Sequence, residues 1–211
     1  MKKRAIPFRD YLLLTNISPV IKYLTISDVI LFSGSGLFSP IFAIFVVDNI
    51  SGANVAVVGV ATTIFWVTKS VVQVPVANLV DRIRGDRDDF WFMFIGTICS
   101  ALVPLAYLLV STVPQLYFVQ FLHGAITATT FPSFMALYTR HIDKDREGTE
   151  WGVYHTLTDF SWALTAAIGG FVALVIGFPA LIWSVSVISL FGALLLYPLR
   201  RVLCQKTKKP N

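Results

Sequence analysis

Asp28, Lys69, His123, His155 and Asp159 are ionisable residues in stretches where charge is otherwise absent or sparse. In apolar surroundings an isolated charge must find a partner or a task, so these types at these positions suit charge pairing or coupling to an ion. Bond-making chemistry has no comparable signature. Ser35, in Ser33-Gly-Ser-Gly36, lacks the preceding glycine of a G-x-S-G protease motif, and His123, His141 and His155 show no H-E-x-x-H or other metal spacing. No glycine-rich phosphate loop occurs, and neither Cys99 nor Cys204 has ligand spacing. An enzyme, a metal centre and a resident cofactor are therefore not expected.

The elements carrying these residues follow from the charge pattern. Hydrophobic residues make up 55% of the 211-residue chain against 14% charged, and a mean hydropathy of +0.71 suits a bilayer rather than water. About 20 largely uncharged residues cross the hydrocarbon as a helix. No Asp, Glu, Lys or Arg occurs over Val29–Val47, Phe90–Thr139 or Phe160–Leu199, and over Asn49–Val80 only Lys69 does. Two of these runs are long enough for paired spans, with breaks at Ser111-Thr-Val-Pro-Gln115 and Gly177-Phe-Pro179. The expected fold is an all-α membrane protein, a six-transmembrane-helix bundle with spans near 27–47, 55–79, 90–110, 116–138, 151–176 and 179–199. The lack of two-residue alternation argues against a β-barrel.

Sixteen of the 17 Lys and Arg residues fall before the first span, in the second and fourth connections, or after the sixth span; the other three connections have none. Positive loops stay inside, which predicts a cytoplasmic N-terminus and C-terminus. The expected organisation is a cytoplasmic or interfacial segment 1–26, a transmembrane domain 27–199 and a basic cytoplasmic tail 200–211, in a multi-pass protein of the plasma or inner membrane. Residues 5–25, mixing aromatic and charged residues, suit a segment lying in the interface. The net charge of +5 reads as a topology signal that also suits attraction to anionic lipid, and no nucleic-acid partner is expected. Gly34 and Gly36 in the first span, and Gly169 and Gly170 in the fifth, permit close backbone approach between helices.

Two regions carry a family resemblance. Asn78-Leu-Val-Asp-Arg-Ile-Arg-Gly-Asp-Arg87 resembles the G-x-L-A-D-R-x-G-R loop of the major facilitator superfamily, with Leu79, Asp81 and Arg82 matching and Arg84-Gly85 as a one-residue insertion. Gln120-Phe-Leu-His-Gly124, Phe131-Pro132, Arg146-Glu-Gly148, Gly152 and Gly169-Gly170 resemble that family's R-F-L-Q-G, F-P, R-G, G and G-G pattern in register. Gln120 stands where many members have Arg, and the fifth-span antiporter pattern survives only as Thr165, Ala166 and Gly169-Gly170, which argues against proton-coupled antiport.

The resemblance covers the chain as the first six helices of a family that usually has twelve. It implies transport of a small solute, with two same-orientation copies completing the twelve-helix shape. It further implies a gate loop of Asp81, Arg82, Arg84, Gly85 and Arg87, and helix packing at Gly34, Gly36, Pro132, Gly152, Gly169 and Gly170. In the resembled fold the first and fourth helices line the cavity. Ser35 and Ser39 share a face with Asp28, Thr127 and Thr130 share one with His123, and Gln120 is a further candidate. Hydroxyls bonded to their own helix carbonyls are the competing reading of these faces. Lys69 and Asp159 have matching depths, roughly 15 and 12 Å at 1.5 Å per residue, and form an expected pair across a homodimer. Snorkelling of Lys69 and a local Asp159–His155 contact are the alternative. A non-transporting scaffold or partner subunit, or a truncated half of a longer transporter, are the alternative functions.

Overall fold

The computed structural model describes residues 14–15, 17–83 and 85–206. Pro19, in the first turn, starts helix α1 (Pro19–Phe38). Pro40 lacks an N–H, and the chain passes through one 3₁₀ turn, Ser39–Ile41, before α2 (Phe42–Asn49) completes the rod. There follow α3 (Val55–Ile83), α4 (Asp86–Ala106), α5 (Val113–His141), α6 (Glu147–Ile176), α7 (Phe178–Leu194) and α8 (Leu199–Lys206). Among the described residues no strand forms.

Both expected breaks are present. The main-chain N–H groups of Ser111 and Thr112 donate to Gln115 Oε1 at 2.9 and 3.2 Å, closing the first turn of α5. Gly177 ends α6 at φ +92°, a left-handed conformation that a side chain would strain, and Pro179 lies in the first turn of α7. Ser51 bridges to Thr112, tying the turn after α2 to the turn before α5.

Among the described residues, five helical rods are long and apolar enough to cross a membrane: 19–49, 55–83, 86–109, 147–176 and 178–204. The sixth expected span, α5, is 29 residues long but more polar, because it carries Gln115, Gln120, His123 and a run of threonines.

Packing follows a simple pattern. Helix α3 lies along α5, α5 along α4, α4 along α7, α7 along α1, and α1 along α6. Exchanging the rods α1–α2, α3 and α4 for α5, α6 and α7 leaves this pattern unchanged, so the fold is two three-helix units of the same arrangement. The most hydropathic windows of the edge helices α3 and α6 are 11% and 6% buried, against 33 to 44% for those of the α1–α2, α4 and α7–α8 rods.

Two apolar cores close the two ends. Phe38, Phe45, Tyr107, Leu116, Leu181 and Val185 fill one. Val20, Ile21, Leu24, Phe90, Phe134, Tyr138 and Tyr154 fill the other, the basic end. Of the expected interfacial segment, residues 1–13 and 16 lie outside the described residues. From Pro19 the chain is already α1, and Val20, Ile21 and Leu24 are buried because their spacing puts them on one helical face. Residues 199–206, assigned in part to the basic tail, form α8, whose Leu199 and Leu203, one turn apart, pack into the same core.

Small residues allow the closest approaches. A Cβ on Gly169 would overlap the Leu37 backbone of α1, one on Gly36 would lie 2.6 Å from the Trp162 carbonyl oxygen of α6, and one on Gly34 would lie 3.2 Å from the Val185 carbonyl oxygen of α7. Gly152 and Gly170 have open space where a Cβ would stand, so their expected packing role is not found within the chain. Pro132 lies partly buried inside α5. Gly169→Val is expected to destabilise the protein by about 1–3 kcal/mol through overpacking, whereas Gly170→Ala should be neutral or gain roughly 0.5–1 kcal/mol. Thermal unfolding of the purified protein in detergent checks the order of the two.

Candidate functional site

Helix α4 begins where α5 ends, at the basic end of the bundle, and each terminus has the charge its dipole favours. Asp86, Asp88 and Asp89 occupy the first turn of α4, and Arg140 and His141 the last turn of α5. The Asp88 and Asp89 N–H groups donate to the Gly85 carbonyl at 3.1 and 3.0 Å, which sets the direction of the acidic turn. Arg140 Nε lies 3.1 Å from Asp86 Oδ1, and its Nη2 donates to Asp89 Oδ2. His141 Nε2 lies 3.3 Å from Asp86 Oδ2 while Nδ1 lies 2.9 Å from the Leu137 carbonyl, so an imidazolium there donates on both sides. Asp89 is 1% exposed, and without Arg140 its charge would be stranded.

This cluster was not among the sequence candidates. Its signal was the Asp86/Asp89 spacing, which puts two carboxylates on one helical face, combined with basic residues closing α5. Of the expected gate loop, Asp81, Arg82 and Arg87 are exposed beside the cluster, Gly85 precedes α4, and Arg84 lies outside the described residues.

Helix α1 has an uncovered stripe of Phe32, Ser35 and Ser39, with the partly exposed Asp28 at its basic end. Asp28 Oδ2 accepts a 2.7 Å hydrogen bond from the Tyr154 hydroxyl of α6. Tyr154 was also missed, because nothing in its spacing separates it from the neighbouring core aromatics. Other hydroxyls join helices: Ser27 donates to the Gly192 carbonyl of α7 at 2.8 Å, and Ser161 to the Val29 carbonyl at 3.1 Å.

The polar face expected on α5 is half-buried, with Gln120 its most enclosed member. Gln120 is 5% exposed, and His123 packs its ring 4.8 Å from that of Phe65 on α3. Thr127 donates to the His123 carbonyl at 2.8 Å and Thr130 to that of Ile126 at 3.4 Å, with Thr130 turned towards Gly96 of α4. The two threonine hydroxyls thus satisfy carbonyls of their own helix while staying partly exposed, as suits a medium with little competing water. The exposed large apolar side chains of α5 are Phe118, Phe121, Leu122 and Phe131.

Lys69 Nζ lies over the rings of Trp66 and Phe131, at 4.8 and 5.3 Å, a cation–π arrangement spanning α3 and α5. Asp159 is exposed on the opposite edge helix, and the His155 ring lies against Trp151 and Tyr154 rather than Asp159. Lys69 and Asp159 thus stand on the two edges of one chain, on helices that do not pack along each other.

The sequence model of the Major Facilitator Superfamily matches residues 24–210, which bears out the resemblance carried by the two motif regions. No match is found among curated proteins.

The ionic cluster makes a prediction of its own. Arg140→Ala should cost about 3–5 kcal/mol by leaving Asp89 buried and unpaired. Adding Asp89→Asn should recover part of that loss. A double-mutant cycle on thermal unfolding in detergent would read the coupling, and additive losses would mean that the two do not act as a pair.

Proposed function

Because the chain belongs to the major facilitator superfamily, a family of membrane transporters of small solutes, we propose that it carries a small solute by alternating access as a homodimer of six-helix halves inserted in the same orientation. The observation that carries this reading is the exposure of α3 and α6. They are the two least buried of the apolar rods, they stand at opposite edges, and the α1 stripe with Ser35 and Ser39 is also left uncovered. A second copy related by a twofold axis along the membrane normal would set each α3 against the other copy's α6.

In this arrangement α5 is the sixth span. Its 29 residues reach about 43 Å at 1.5 Å per residue, enough for the bilayer, and its polar side chains are largely turned into the bundle. The one-sided Lys and Arg count favours both ends on the cytoplasmic side, in a plasma or inner membrane. Residues 1–26 then lead into the bundle, and those after 199 form a basic inner extension. The path runs between the copies, lined by α1 and α5. Lys69 leaves its aromatic site to meet Asp159 of the other copy, and Asp81 and Arg82 contact the partner's inner helix ends when the gate closes.

Two measurements test this reading. Lys69→Cys with Asp159→Cys, in a chain also carrying Cys99→Ser and Cys204→Ser, is expected to give an oxidised covalent dimer whose solute flux in liposomes falls and returns on reduction. Cross-linking confined to single chains would refute the arrangement. Asp81→Ala should lower flux about tenfold, equivalent to ~1.4 kcal/mol in the gate equilibrium, without affecting membrane insertion. Unchanged flux would remove Asp81 from the gate.

A further inference from the structure

Glu150, in the first turn of α6, is 1% exposed, and no side-chain donor meets either carboxyl oxygen, towards which the Asp143 main-chain N–H is turned. The Tyr138 hydroxyl of α5 donates to the main-chain carbonyl of Glu150, at 3.2 Å. Tyr138 stacks on Trp151 at 4.3 Å and lies 5.4 Å from Tyr154, so aromatic rings crowd this region. On the other side of Tyr138 stand Thr25 and Asp28 of α1. The Thr25 hydroxyl is buried beside the Tyr138 hydroxyl, while Asp28 accepts from Tyr154. Three helices thus bring two carboxylates and two tyrosines together at the basic end.

The surrounding charge does not compensate Glu150. Facing it are Asp143 and Arg146 of the connection from α5 and Glu147 of α6, two acids against one base. From α5 it faces Tyr138, and Tyr154 faces both Asp28 and Asp159. An ionised carboxylate withdrawn from water costs several kcal/mol unless a cation and hydrogen bonds replace the solvent, and protonation removes that cost. Asp28 is placed differently, because a 2.7 Å hydrogen bond from a tyrosine suits the anion.

We propose that Glu150 and Asp28 form a proton-binding site at the junction of α1, α5 and α6, with the proton held on Glu150 as a neutral carboxylic acid and Asp28 as the anion. Asp28 lies at the edge of the uncovered stripe of α1, so water reaching that stripe reaches the site from one side. When the site opens, the Glu150 O–H bond breaks, water takes the proton and the carboxylate is solvated; on closure one proton returns from solvent. The site uses neither the Gln120 position nor the residual antiporter pattern of the fifth span, on which the sequence argued against proton coupling. Only the proton's part in the cycle rests on the transporter reading.

The chain contains two glutamates, Glu147 and Glu150, which makes the proposal directly readable. In protein labelled with carbon-13 at the glutamate carboxyl groups and reconstituted in lipid at neutral pH, infrared spectra should show a protonated carboxylic-acid band that shifts with the label and in deuterated water. Glu150→Gln should abolish the band entirely and Asp28→Asn should retain it. An unlabelled-type band that does not shift, the absence of any acid band, or its survival in Glu150→Gln would each overturn the assignment, and the label decides even if a variant fails to fold. In liposomes, flux that varies with pH in the wild type should lose that dependence in Glu150→Gln. The band present without any solute flux would leave the site standing and count against the transporter reading alone.

Discussion

Water is absent from the bilayer core, and this constraint shapes the rest of the molecule. With no solvent to satisfy main-chain groups, the apolar stretches must be helices. With lipid tails as apolar as leucine, helices gain little by burying side chains against one another, so association depends on close packing and polar contacts. Gly36 and Gly169 meet that need where α1 and α6 approach backbone to backbone. Many serine and threonine hydroxyls serve their own helix carbonyls, and those of Ser27 and Ser161 join neighbouring helices.

The same constraint sorts the charges. Arg140, Asp86 and Asp89 meet at one end, where helix termini of opposite polarity lie side by side and can each hold the charge they favour. Lys69, which has no terminus within reach, is accommodated by aromatic faces. Glu150 sits in the first turn of α6, where the helix dipole favours an anion, but aromatic rings crowd it on the α5 side, and the proposed proton would ease its burial. These are three answers to one cost, and they fall in different helices. The repeated three-helix arrangement leaves α3 and α6 exposed at opposite edges, which makes the uncovered side the natural place for a second half.

Much of the fold was legible in the sequence because lipid imposes length and charge rules that a single chain displays. The breaks at Ser111–Gln115 and Gly177–Pro179, and the family resemblance, were readable from residue types alone. The helix ends were not: α1 starts at Pro19 because Val20, Ile21 and Leu24 pack beyond the span, a tertiary contact that hydropathy cannot report. The polar stripe on α5 was correctly seen as periodic, but periodicity does not say which neighbour covers it, and here His123 meets α3 while Thr130 meets α4. The Arg140 cluster needed the antiparallel placement of α4 beside α5. Glu150 looked like an ordinary charge in a first helical turn, since burial by Tyr138 and its neighbours is a property of three helices together.

The proposed function requires two copies of the chain to form one transporter. Its most direct test is the mass of the protein released from native-like lipid discs, measured on the same preparation that moves solute. The predicted result is twice the 23.4 kDa of one chain. Single chains that still carry solute, with no second copy bound, would contradict it.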